Sequence, residues 1–220
     1  MAWTLDRGTD LVVQTHLLPS GKPEKVNFEI GLFFDEKPPT RLPFLLTTGR
    51  NSMDIPPGEK NYAVHDSYRL PVDVQVHSVL FHAHYLGREM VAVATLPNGS
   101  KIRLLEINDW DFNWQDDFRL TQPIVLPSGT TISMRITYDN SADNLRNPNV
   151  PPKRVTYGYG TNDEMADFFL QVLTKNNDDR KILIRDHSKK TLIQDMEGLR
   201  KRVEVNPDNL MLRMLAPKKQ

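Results

Sequence analysis

The sequence contains no cysteine. Disulfides, thiolate zinc sites, iron–sulfur clusters and cysteine nucleophiles are therefore excluded together, and any metal must be held by His, Met or carboxylate. Neither charge is in excess: Lys+Arg and Asp+Glu both number 28, for a formal net charge of +0. A polycationic surface for nucleic acid is not expected. No apolar run approaches the roughly 20 residues a membrane-spanning helix needs, so no membrane span is expected either. The opening Met1-Ala2-Trp3-Thr4-Leu5-Asp6-Arg7 has neither the basic nor the apolar region of a secretion signal.

Sixteen prolines and eleven glycines separate short apolar runs, the punctuation of an all-β domain. Strands are expected at Leu11–Leu17, Val26–Phe34, Phe44–Thr47, Val72–Tyr85, Met90–Leu96, Ile102–Ile107, Ile132–Tyr138 and Asp167–Leu173. Eight such strands suit an antiparallel two-sheet sandwich of jelly-roll type. From Lys175 onward glycine nearly vanishes, and Leu183, Leu192, Met196, Leu199 and Val203 fall mostly at helical steps. A helix is expected from about Asp179 to Val203, closed by Asn206-Pro207, with a second one beginning within Asn209–Leu215. The division is thus a β-sandwich over residues 1–174 and a short α-helical appendage over 175–220. Such a tail implies a protein partner or a helical repeat that is cut short.

The most informative local feature is His82-Ala83-His84. On a strand the side-chain period of two sends both imidazoles out of one face, close enough to share a metal. Two neutral imidazoles suit copper, zinc, iron or nickel, and a third donor decides among them. The candidate is Met165, whose thioether favours copper. Strand parity places Val72, Val74, Val76, Ser78, Leu80, His82 and His84 together and, barring a bulge, sends His77 to the other side. That other side turns apolar at Val79, so the histidine end should be covered from behind.

Plainer readings stand beside this one. His82 and His84 also read as two hydrogen-bonded polar residues on an exposed strand, and Met165 as core filler. A zinc or iron cupin would use His82, His84 and Glu89, but it also needs a glycine where Val76 stands and a histidine after Pro127-Ser128-Gly129. Gly158-Tyr159-Gly160 lacks the setting of a dinucleotide loop. Asp109, Asp111, Asp116 and Asp117, interleaved with Trp110 and Trp114, do not have EF-hand spacing and read as a solvated turn around two anchoring indoles.

Together these residues resemble the carboxy-terminal domain of the copper type II, ascorbate-dependent monooxygenases, the family of peptidylglycine and dopamine monooxygenases. The matching motifs are His82-Ala83-His84-Tyr85-Leu86-Gly87-Arg88 and Glu164-Met165. Longer segments, Asp109–Gln115 and Tyr138–Asn144, are most similar to bacterial relatives. The resemblance spans roughly Leu5 to Leu173. It implies a copper held by His82, His84 and Met165, where molecular oxygen binds and a substrate C–H bond is hydroxylated, with a small-molecule reductant such as ascorbate. It further implies that His16 is one ligand of a second copper, whose remaining histidine pair, borne by an amino-terminal copper domain, is absent from this chain.

Leu80 and Phe169 stand where the peptide-hydroxylating members carry an arginine and a tyrosine, so a glycine-extended peptide is not the expected substrate. The absent histidine pair and the clipped tail suggest that Met1 is internal to a longer, exported protein, periplasmic or extracellular. The alternative from another class is a non-catalytic sandwich that serves as a scaffold.

Overall fold

The structure, a computed structural model, describes residues 3–15, 17 and 20–209. In chain order the strands are β1 (Phe44–Gly49), β2 (Asp54–Ile55), β3 (Tyr62–Arg69), β4 (Val74–His82), β5 (Gly87–Thr95), β6 (Lys101–Ile107), β7 (Phe118–Leu126), β8 (Thr131–Tyr138), β9 (Val155–Thr156) and β10 (Asp167–Thr174), followed by helix α1 (Asn177–Val205). One four-stranded sheet has the order β1-β10-β4-β7 and the other β3-β8-β5-β6, while β2 and β9 form a small ribbon. Every pairing between these named strands is antiparallel. The inward faces supply one core: Leu46, Val76, Phe81, Phe168 and Leu170 from the first sheet join Val64, Met90, Ile132, Ile136 and Tyr138 from the second. This is the all-β sandwich that the alternation of short apolar runs implies.

The expected strands at Leu11–Leu17 and Val26–Phe34 are a correction: the described residues of both segments form none. Val26, Phe28, Ile30, Leu32 and Phe34 keep the period of two but remain exposed. A strand needs a neighbour for its backbone groups, and no neighbouring strand pairs with them among the described residues.

Four strands were not anticipated, the two-residue β2 and β9 and the longer β3 and β7. In β3 the inward positions are Tyr62, Val64, Asp66 and Tyr68, and the carboxylate in their midst hides the alternation. In β7 the signal is masked by Pro123. Its edge position tolerates proline, because the ladder with β4 is broken between Arg119 and Ile124.

The same break corrects the parity of β4. The register shifts between Val76 and Ser78 on the β7 side and between Gln171 and Val172 on the β10 side. Core positions therefore change from Val74 and Val76 to Val79 and Phe81, and the half-buried positions are Gln75, His77, Leu80 and His82. His77 thus does not point away from the histidine pair. It lines a separate polar cavity with Ser78, Arg119 and Gln171. The expected cover behind His82 and His84 is present, as Val79, Phe81 and Ala83 are buried.

Helix α1 begins where the Asn176 side chain accepts hydrogen bonds from the amides of Asp178 and Asp179, a cap worth about 1 kcal/mol. It is anchored on the sandwich by Leu183, His187, Lys190, Gln194 and Gly198. Lys190 pairs with Asp66, and Gln194 donates to the Gly49 carbonyl. A Cβ at Gly198 would lie 2.5 Å from that of Asn51. Leu192, expected on the apolar stripe, is instead exposed. The docking face is largely polar, so apolar periodicity did not reveal it.

His187 sits edge-on to Phe44 and Tyr68, with centroids 5.5 and 5.4 Å away, and its Nε2 lies 2.7 Å from the Thr47 carbonyl oxygen. Burial lowers its pKa below the ordinary 6.5. The Thr47 carbonyl opposes that shift, Lys190 adds to it, and Asp186 and Asp66 oppose it. The unfolded chain therefore takes up the proton first. The contribution of neutral His187 is fully present above the unfolded pKa and is lost as pH falls toward the lowered folded one. Urea midpoints should fall on acidification below neutrality, and His187→Gln should flatten that dependence.

Candidate metal centre

Strand register brings the distant methionine to the histidines. His82 ends β4 opposite Asp167 at the start of β10, and Phe81 lies opposite Phe168. Continuing that register by two residues sets His84 opposite Met165. The three side chains line one cleft of about 320 Å³. The imidazole rings stand 5.3 Å apart at 81°.

Both ring tautomers are set by neighbouring acceptors, one from a residue of the cleft wall and one from the backbone. His82 Nδ1 lies 2.7 Å from Gln115 Oε1, and the amide of Gln115 is oriented because its Nε2 donates to the Phe112 carbonyl at 2.8 Å. His84 Nδ1 lies 3.0 Å from the Asp163 carbonyl oxygen. Oε1 and the carbonyl can only accept, so each Nδ1 carries the proton and each Nε2 the lone pair a metal requires.

The turn bearing His84 is held at several points. The Glu164 carboxyl accepts from the amide of His84 at 3.1 Å. Trp110 Nε1 donates to the His84 carbonyl at 3.0 Å, and Tyr138 donates its hydroxyl to the Met165 carbonyl at 2.7 Å. A Cβ at Gly87 would lie 2.8 Å from Trp110 Cδ1, so this glycine permits the indole's approach. Trp110 is held in turn by Arg146, which contacts its carbonyl and the Asp109 carboxylate. That arginine keeps the Asp109 carboxyl below the usual range.

Of the two indoles expected to anchor this turn, Trp110 is buried and Trp114 is 65% exposed. Burial pushes the Glu164 carboxyl well above the ordinary carboxylic acid range.

Among the described residues, no group of three or more His, Cys, Asp and Glu side chains could hold a metal. Glu89, the carboxylate of the cupin alternative, is an exposed residue of β5 with Arg135 3.9 Å away. The third donor the cleft offers is the Met165 sulfur. Two imidazole nitrogens and a thioether form a soft set that suits copper, above all Cu(I). His16 lies outside the described residues. Gln115 and Glu164 stand within the longer motifs, but neither is a metal ligand, so the sequence alone assigns them no part. Their roles appear only when the loops fold beside the histidines.

An antiparallel sandwich with a His-His-Met cleft at one strand end defines the class of protein. The model of the copper type II ascorbate-dependent monooxygenase, C-terminal domain, matches residues 44–176, and the chain belongs to that family. Copper is the cofactor this membership implies. No curated protein matches the chain.

Proposed function

We propose that His82, His84 and Met165 hold one copper ion, and that the chain forms the substrate-hydroxylating part of an oxygen- and reductant-dependent monooxygenase. The observation that carries this reading is the shared cleft, into which both imidazoles and the thioether open with each Nδ1 proton already committed elsewhere. When bound, copper activates oxygen so that one atom enters a substrate C–H bond and the other leaves as water, with electrons from a reductant such as ascorbate.

The protein's own part is positioning. Gln115 and the Asp163 carbonyl orient the two rings, the Glu164 carboxyl and the Trp110 indole fix the turn between them, and Tyr138 fixes the backbone of Met165. The family's dependence on a partner domain supports the further reading that an amino-terminal copper domain completes the electron supply, with His16 among its ligands. The division into a sandwich over 1–174 and a helical tail over 175–220 is supported by β10 ending at Thr174 and α1 beginning at Asn177. The strand orders of the two large sheets support the jelly-roll form of sandwich.

Metal analysis after dialysis tests the site. The chain and His77→Ala should each retain one copper, and His82→Ala should lose it; equal retention by His82→Ala would refute the ligand set. Gln115→Leu should weaken copper binding by about 10- to 100-fold, the usual effect of removing a ligand's hydrogen-bond partner. Gln115→Glu, which still accepts from Nδ1, should restore most of it.

A further inference from the structure

We propose that the substrate of this cleft is a neutral small molecule with an aromatic body, an inference that rests on the copper reading above. Three chain segments bring aromatic rings to the cleft: Tyr85 from the turn after His84, Phe112 from the loop before β7, and Tyr159 from the loop before β10. Phe112 packs against the His84 ring at 5.4 Å and the Tyr85 ring at 4.5 Å, making an aromatic corner beside a metal ligand.

Tyr159 is 77% exposed on the lip of the cleft, yet its loop is closely built. The Asp163 carboxylate accepts from the Gly160 amide at 3.1 Å and fills the space where a Gly158 side chain would stand. A large ring held at a cleft mouth without being buried is suited to cover a ligand's face.

Charge decides the rest. Among the described residues no Asp, Glu, Lys or Arg side chain lines the cleft. In the metal-free cleft a carboxylate or ammonium would lose water and meet no opposite charge among the described lining residues, which costs more than a neutral group hydrogen-bonded in its place; with copper bound the same cost falls on the ammonium. Besides Gln115, engaged with His82 and the Phe112 carbonyl, the polar groups of the lining are the Asn113 amide and the hydroxyls of Thr161, Tyr85 and Tyr159, which suit an amide, hydroxyl or ether. A cleft of about 320 Å³ is at the small end of small-molecule sites, and matches one ring with a short side chain better than a peptide.

Three probes of one size but different charge test this: phenylacetamide, phenylacetate and 2-phenylethylammonium. Their binding to the full chain is measured by calorimetry, once Cu(I)-loaded and once metal-free. Phenylacetamide should bind at least about tenfold more tightly than either charged probe in the metal-free form, and than 2-phenylethylammonium in the Cu(I)-loaded form. Tyr159→Ala should weaken it by about tenfold with copper stoichiometry unchanged.

Equal or tighter binding of a charged probe to the metal-free chain would overturn the proposal, as would no binding of any probe at millimolar concentration. So would indifference to Tyr159→Ala. Failure to retain copper, with the neutral preference intact in the metal-free chain, would refute the metal reading while supporting the cleft's selectivity.

Discussion

Met165→Ala should lower Cu(I) affinity by roughly a hundredfold or more while changing Cu(II) affinity far less. The thioether is a soft donor, and its preference for the reduced ion is the reason this site differs from a two-imidazole pair. Loss of a direct ligand should at least match the 10- to 100-fold effect typical of an outer-shell partner. Met165 is half-buried at the edge of the core and lines the cleft, so its truncation should leave the sandwich folded. Competition against a Cu(I) chelator and against a Cu(II) chelator reads the two affinities separately. Equal losses for both ions would mean that sulfur is not a ligand and the mutation disturbs the histidines indirectly.

Glu164→Ala should destabilise the chain by about 2–5 kcal/mol, read from urea unfolding. The carboxyl is wholly buried and accepts from the amide of His84. Removing it orphans a buried backbone donor at about 1–3 kcal/mol and leaves a cavity that adds to the loss. Glu164→Gln is the instructive partner. The isosteric amide keeps an acceptor oxygen for the His84 N–H and carries no charge to bury, so stability should return to within about 1 kcal/mol. Copper binding should follow stability, because the same contacts hold the turn that carries His84. A fully stable Glu164→Ala would show that the turn does not depend on this clamp.

The sandwich was legible because its core strands alternate cleanly. Phe44–Gly49, Gly87–Thr95 and Thr131–Tyr138 all lie where apolar periodicity sets them. What escaped has local causes. The change from even to odd core positions along β4 is written in the sequence, where apolar residues pass from Val74 and Val76 to Val79 and Phe81. That change marks a bulge, and reading the strand as regular misplaced His77. Pro123 hid an edge strand, and the exposed alternation of Val26–Phe34 suggested a strand whose pairing partner is not among the described residues. At the site, the His-x-His pair and the Met165 thioether were legible because each has a chemical reason to be there. Gln115, Trp110 and Arg146 were not, because their task is to position neighbours through contacts that span up to 36 residues of sequence.

X-ray absorption at the copper edge of the Cu(I)-loaded chain tests the central claim most directly. The account predicts two nitrogen neighbours and one sulfur in the first shell, with the sulfur lost in Met165→Ala. A first shell of nitrogen and oxygen alone in the unmodified chain would contradict it.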